Sequence, residues 1–355
     1  MADPSPRLTP DSPLELVSAR TLFTDRPIGR RSAASVVRLT SSGRLLMCFS
    51  EVAGAALRNQ AALMLSHSDN DGATWSEPLP VFAYPGWFCL AMGGLARIAD
   101  DDIKLMIGRI LIDLSIGGTE PMTGWWVAST TTRDGGDSWS DPSPEIRLFP
   151  TWTELYGASN PHPLPGGRLL WAVMGTLGRD EGWHAGVSVS DAGGEAFGAP
   201  TIIAQVAGLD YSDIDVVRLD DGRFLAVIRE HQTRQSVWST SVDDGTTWSP
   251  IRPTPFKGSN IKLFRLRSGT IVCAYRDEDP GQRGVSISMT DDGGETWASV
   301  GQLYAAGPES QHEPGSVCGY PDLVDLGDGE IAAVLHTYPT EDGIELQWFR
   351  LRDRS

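Results

Sequence analysis

One eight-residue pattern constrains the fold of this chain more than any other feature. Ser241-Val-Asp-Asp-Gly-Thr-Thr-Trp248 reads Ser/Thr, any residue, Asp, any residue, Gly, any residue, Ser/Thr, Trp. Residues Thr132–Trp139 and Thr290–Trp297 carry the same pattern, and Ser68–Trp75 differs by Asn70 at the Asp position. Ser190–Phe197 is a degenerate copy, with Ala192, Ala196 and Phe197 at three key positions. The pattern describes a self-contained turn: the Asp side chain bonds backbone N–H groups within it, and Gly supplies a positive φ. The Trp opens the next strand and folds back over the turn as an apolar clip. Hairpins repeated in this way imply a repeat fold, with the boxes as scaffold rather than chemistry.

A second repeat alternates with the first. Each copy is an apolar strand, a turn and another apolar strand, at residues 35–51, 95–110, 162–175, 215–230, 263–277 and 322–337. The first five copies each lead, after a further strand, to a box, and the last leads to the strand-like run 343–352. Strand, turn, strand, strand, box and outer strand make a four-stranded antiparallel sheet. Six such sheets set radially form a β-propeller, which leaves only short, protected edges. The expected fold is therefore all-β: a six-bladed β-propeller of four-stranded antiparallel blades. The last blade lacks an outer strand, and residues 14–23 form a spare one, so their pairing is expected to close the ring. Residues 1–13, rich in Pro and Ser, read as a flexible segment ahead of a single propeller domain over 14–355.

Composition narrows the partners. A formal net charge of −17 argues against a nucleic-acid or anionic-membrane surface, while leaving room for a basic pocket that takes an anionic sugar. The four Cys show no CxxC or His/Cys ligand spacing, so no metal or other cofactor is expected. Cys48 and Cys273 lie inside apolar runs, as buried thiols do. No run approaches membrane-spanning length and no signal peptide is visible, so a cytoplasmic location is expected.

Six blades with these Asp boxes resemble the sialidase (neuraminidase) superfamily over essentially the whole chain. The resemblance implies a central pocket, a carbohydrate substrate, three Arg on a sugar carboxylate, a Tyr nucleophile activated by a carboxylate, and a separate acid/base. Tyr320, in Cys318-Gly-Tyr-Pro-Asp-Leu-Val324, matches the nucleophile. Asp213, in Asp213-Ile-Asp-Val-Val-Arg-Leu219, matches the activating carboxylate, while Arg229 and Arg283 match the second and third Arg. A phenol is a poor nucleophile at its free pKa and needs such a base, and paired Arg read a carboxylate bidentately. The chain also departs from the pattern. Ser32 stands at the first Arg position with Arg31 one place off, and His336 replaces the Glu that would brace that Arg. No Asp occurs between Glu51 and Ser68, so Glu51, or a group on another loop, is the candidate acid/base.

Position along the repeats adds further candidates. His336 ends a strand of the blade that Tyr320 begins, making it a candidate general base that His162 of the third blade could join. Arg276 ends a strand, and Trp87 and Trp152 lie in long loops suited to stacking on a sugar ring. The expected function is release of a terminal, acidic sugar from a glycan by a sialidase-like exo-glycosidase. The alternative is a uronic-acid lyase, in which Arg neutralises the carboxylate while Tyr320 or His336 moves the proton. A non-catalytic glycan-binding propeller is the third reading.

Overall fold

The computed structural model describes residues 6–26, 29–53, 60–99, 101–112, 122–148, 154–157, 159–176, 182–279, 281–306, 318–340 and 343–354. Among them there is no α-helix. Six antiparallel meanders follow one another along the chain. The first runs through Gly29–Arg38, Leu45–Ala53, Ala62–Ser68 and Leu79–Phe82. The second comprises Phe88–Ala99, Asp102–Ile112 and Met122–Thr132. In the third, Leu169–Thr176, Trp183–Val189 and Thr201–Ala204 follow the short strands Glu154–Gly157 and His162–Pro163. The fourth contains Tyr211–Arg218, Phe224–Glu230, Ser236–Ser241 and Arg252–Pro253. The fifth contains Gly258–Arg265, Ile271–Asp277, Gly284–Thr290 and Ala298–Ala305. The sixth contains Cys318–Gly327, Glu330–Thr340 and Gly343–Asp353.

Two segments from the start of the chain join later meanders. Leu14–Thr21 pairs antiparallel with Gly343–Asp353, from Leu14 opposite Asp353 to Thr21 opposite Gln347. Within the segment read from composition as flexible, Arg7–Leu8 pairs with Gln302 and Gly301 on the outer strand of the fifth meander. An outer strand offers unpaired N–H and C=O groups, and a Pro-rich segment can satisfy a few of them without becoming a full strand.

The core lies between successive meanders. Leu46 and Cys48 of the first pack with Leu95, Leu105 and Ile107 of the second. Leu90 and Val127 of the second pack with Trp171 and Val173 of the third, and Ala172 and Val187 of the third with Val216 and Ala226 of the fourth. The series continues through the fourth and fifth and the fifth and sixth. It returns to the start where Val324, Val334 and Trp348 of the sixth pack with Val36, Met47 and Phe49 of the first. Middle strands are thus covered on both faces, which is why they read as continuous apolar runs rather than alternating ones.

The boxes hold their turns as their composition demands. Asp243 accepts the Thr247 N–H at 2.8 Å, the Thr247 hydroxyl at 2.6 Å and the Ser241 hydroxyl at 2.8 Å. Asp134, Asp292 and Asn70 accept the equivalent N–H groups. In the degenerate copy Asp191, one residue earlier, takes over, accepting the N–H groups of Glu195 at 3.3 Å and Ala196 at 3.0 Å.

Candidate active site

Four leading strands carry the same irregularity at the same place. Between Ser32 and Ser35 the first meander inserts one extra residue against Ser50 and Cys48. The same happens between Ser212 and Asp215, Ser259 and Lys262, and Gly319 and Asp322. Such a bulge bends the strand and re-aims a side chain. The residue after the first of each pair is left-handed: Ala33 (φ 51°), Asp213 (φ 45°), Asn260 (φ 48°) and Tyr320 (φ 48°). Asn and Asp accept this conformation through local hydrogen bonding, whereas for Tyr it costs about 1–2 kcal/mol.

All four left-handed residues line a narrow well of about 70 Å³. Ala33, Asp213, Tyr320 and Met174 also line the adjoining cavity of about 420 Å³. The polar wall of this cavity is built from Arg30, Ser32, Ser212, Asp213, Arg229, His231 and Tyr320. Val52, Phe88, Leu90, Ile110, Trp125, Trp183 and Ile344 form the apolar wall. Arg229 is fixed by Asp213 Oδ2 at 3.1 Å and faces Glu278 at 3.7 Å. Glu278, only 3% exposed, also meets Arg276 at 3.6 Å and Arg234 at 3.4 Å, so one buried carboxylate organises three guanidinium groups. The Ser212 hydroxyl bonds His231 Nε2, and burial, aided by Arg229, lowers the His231 pKa. Arg30 Nε has no hydrogen-bond partner among the described residues.

Behind Tyr320, which is 36% exposed, the His336 ring lies at 5.5 Å and itself meets Tyr338 edge-on at 5.4 Å. Burial, with a contribution from Arg276, pushes the His336 pKa down to about 3, so the imidazole is neutral. It can accept or relay a proton but does not carry a charge near neutral pH.

Of the residues singled out from sequence, the fold brings Tyr320, Asp213 and Arg229 into one cavity, with His336 and Arg276 packed behind it. None of the others is among the described residues that line this cavity. Arg31 and Glu51 are a buried cross-strand pair at 2.7 Å, and Glu51 is held again by Arg26 at 2.9 Å. Strand alternation is the reason: Arg30, Ser32 and Val52 face the cavity, so Arg31 and Glu51 face away. His162, half-buried, meets the Phe224 ring edge-on at 6.3 Å, and desolvation together with Lys262 lowers its pKa to about 4. Trp87 packs on Arg109, whose guanidinium also sits 3.7 Å from the Tyr84 ring centre, and it does not line the cavity. Arg283, whose carbonyl accepts the Ala306 N–H, is likewise not among the described lining residues. Trp152 lies outside the described residues. Sequence reading missed Arg30, Glu278, His231, Trp125 and Trp183. Alternation from Ser32 would have found Arg30, but nothing local marks Glu278 as the centre of an Arg cluster.

Sheets stacked in this order, with a cavity lined by the starts of their leading strands, define a sialidase-like BNR-repeat propeller. The chain belongs to the BNR repeat-like domain family, whose model matches residues 116–333. Among solved structures, a protein of unknown function from Dyadobacter fermentans superposes with a TM-score of 0.80 at 16% identity, covering 96% of this chain and 99% of that one. The intramolecular trans-sialidase of Ruminococcus gnavus gives a TM-score of 0.68 at 12% identity, covering 94% and 96%. The α-L-arabinanase of Penicillium chrysogenum gives 0.66 at 12% identity, covering 94% and 98%. No curated protein matches in sequence. At these identities the shared property is the fold, and chemistry must be argued from the site.

Proposed function

We propose that the six meanders are the blades of a closed six-bladed propeller, with Leu14–Thr21 as the outer strand of the last blade, and that its central cavity processes a terminal, acidic sugar. Closure is supported by the Leu14–Thr21 pairing and by the core packed between the sixth and first meanders. The observation that carries the functional reading is the placement of Tyr320 and Asp213 in one cavity. Both are displayed from equivalent bulges into one cavity, and Tyr320 is held there against its backbone preference. In this reading Asp213 takes the phenol proton, Tyr320 Oη bonds the anomeric carbon as the glycosidic C–O bond breaks, and that proton passes to the leaving oxygen. Water then breaks that bond and releases the sugar. Arg30 and Arg229 supply positive charge for a substrate carboxylate.

A second reading, elimination on a uronic acid, is favoured by one fact. Asp213 is the single carboxylate among the described residues that line the cavity, where a two-carboxylate hydrolysis needs a separate acid. Elimination needs only a base, for which Tyr320 with neutral His336 suffices, and a cation on the carboxylate. Mass analysis of products from sialosides and uronic-acid oligosaccharides separates the two. A released sugar that has gained water, lost in Tyr320→Phe, supports hydrolysis. An unsaturated product absorbing in the ultraviolet replaces that reading with elimination, and binding without any product removes both.

A further inference from the structure

Most of the apolar wall of the cavity lies on the second meander, while Val52 and Ile344 stand beside Arg30. Phe88 stands opposite Ile110, and Ile110 opposite Trp125, across the three strands of the second meander. Leu90, two residues beyond Phe88 on the same face, and Trp183 of the third meander extend it. Leu90 and Ile110 are each 3% exposed, and Phe88, Trp125 and Trp183 remain partly open. The charged groups of the cavity, by contrast, come from the first and fourth meanders, as Arg30, Asp213 and Arg229.

This division bears on what fills the cavity. A sugar ring carries a polar group on nearly every carbon, and each one buried against an aliphatic or aromatic wall without a partner is penalised. An aromatic ring can carry the apolar face of a sugar, but among the described residues the Phe88–Ile110–Trp125 row offers no polar partner for the ring-edge hydroxyls of a second sugar, while an apolar group there gains from leaving water. We infer that the ligand is a glycoside with an apolar aglycone, aryl or alkyl, whose sugar faces Arg30 and Asp213 while its aglycone covers the second-meander row. The inference rests on the glycan reading above and adds the class of the leaving group.

The test is calorimetric titration of the full chain with matched ligands of one acidic sugar at a time, sialic acid and glucuronic acid. Each sugar is offered as methyl, octyl and phenyl glycosides and as a disaccharide. The phenyl or octyl form is expected to bind about tenfold or more tighter than the methyl form and the disaccharide. In Trp183→Ala the phenyl-to-methyl ratio should fall to about threefold or less. Preference for phenyl over octyl identifies an aryl aglycone, and the reverse an alkyl one. Methyl glycoside or disaccharide binding as tightly as the phenyl form overturns the inference and leaves the glycan reading standing. A chain that binds none of these ligands overturns both. Should Trp183→Ala fail to fold, the wild-type series alone decides.

Discussion

Lys262 Nζ lies 3.0 Å from Asp322 Oδ1, joining the leading strands of the fifth and sixth meanders at the same place in their bulges. Asp322 also accepts the Val36 N–H at 2.9 Å, which ties the sixth meander to the first. Asp215, at the matching place in the fourth, accepts the Leu263 N–H at 2.6 Å. Burial would depress the Lys262 pKa, but Asp322 and Asp215 raise it, and the net shift is upward. Burial drives Asp215 up to about 6, with Lys262 pulling it partly back. One buried ionic cluster thus spans the strands that carry Asp213 and Tyr320, each two residues ahead of a cluster carboxylate.

Removing the cation should strand two buried carboxylates. Lys262→Met is expected to lower stability by about 3–5 kcal/mol, the usual cost of breaking a buried pair from one side. Urea unfolding reads this directly. A variant within about 0.5 kcal/mol of wild type, the range of ordinary surface changes, would show that the cluster does not hold these strands.

Acid stability should depend on His336. In the folded protein its pKa is lowered to about 3 from an ordinary 6.5, mainly by burial. The unfolded chain therefore binds this proton first as the pH drops. Its contribution is fully present above about 6.5 and is lost progressively as pH falls towards 3. His162, lowered to about 4, acts in the same direction, while Asp215, raised to about 6, opposes them. In His336→Gln the stability lost between pH 7 and pH 4 is expected to shrink by on the order of 3 kcal/mol. Urea midpoints at the two pH values check it; equal losses in both proteins would sink the assignment.

Much of this architecture was legible because turns and apolar runs are local. Four of the five boxes are spelled out in residues whose own side chains close the turn, so the box repeat could be read without tertiary information. The bulges were legible only in retrospect. Ser32-Ala-Ala-Ser35, Ser212-Asp-Ile-Asp215, Ser259-Asn-Ile-Lys262 and Gly319-Tyr-Pro-Asp322 share a small residue first and, apart from Ser35, a titratable one last. The chemistry of the last position is inter-strand, as in Ser35, whose hydroxyl accepts the Leu95 N–H, so no local rule exposes it. The same limit explains Glu51: its exposure to the cavity depended on strand face, which a bulge shifts by one residue.

The degenerate box offers a direct check on how turn chemistry survives substitution. Asp191 stands one place early yet bonds the N–H groups of Glu195 and Ala196, doing in this turn what Asp243 does in its own. Asp191→Ala and Asp243→Ala should therefore lower the urea midpoint by comparable amounts. If Asp191→Ala has no effect while Asp243→Ala does, the early Asp is not a replacement and the turn is held by packing alone.

Neighbouring arginines should separate binding from stability. Arg31 is 4% exposed and paired with buried Glu51, so Arg31→Ala leaves that carboxylate with Arg26 as its ion-pair partner among the described residues and should cost about 3 kcal/mol. Arg30 lines the cavity, and its Nε has no protein hydrogen-bond partner among the described residues. Arg30→Ala should change the urea midpoint little while weakening binding of a methyl sialoside or methyl glucuronide about tenfold, the value of one charged hydrogen bond. The two variants differ by one position on a strand, and alternation alone puts them on opposite faces. Calorimetry and urea unfolding on both give four numbers with a crossed pattern. Loss of binding in Arg31→Ala with Arg30→Ala unaffected would reverse the face assignment and return Glu51 to the cavity as its acid.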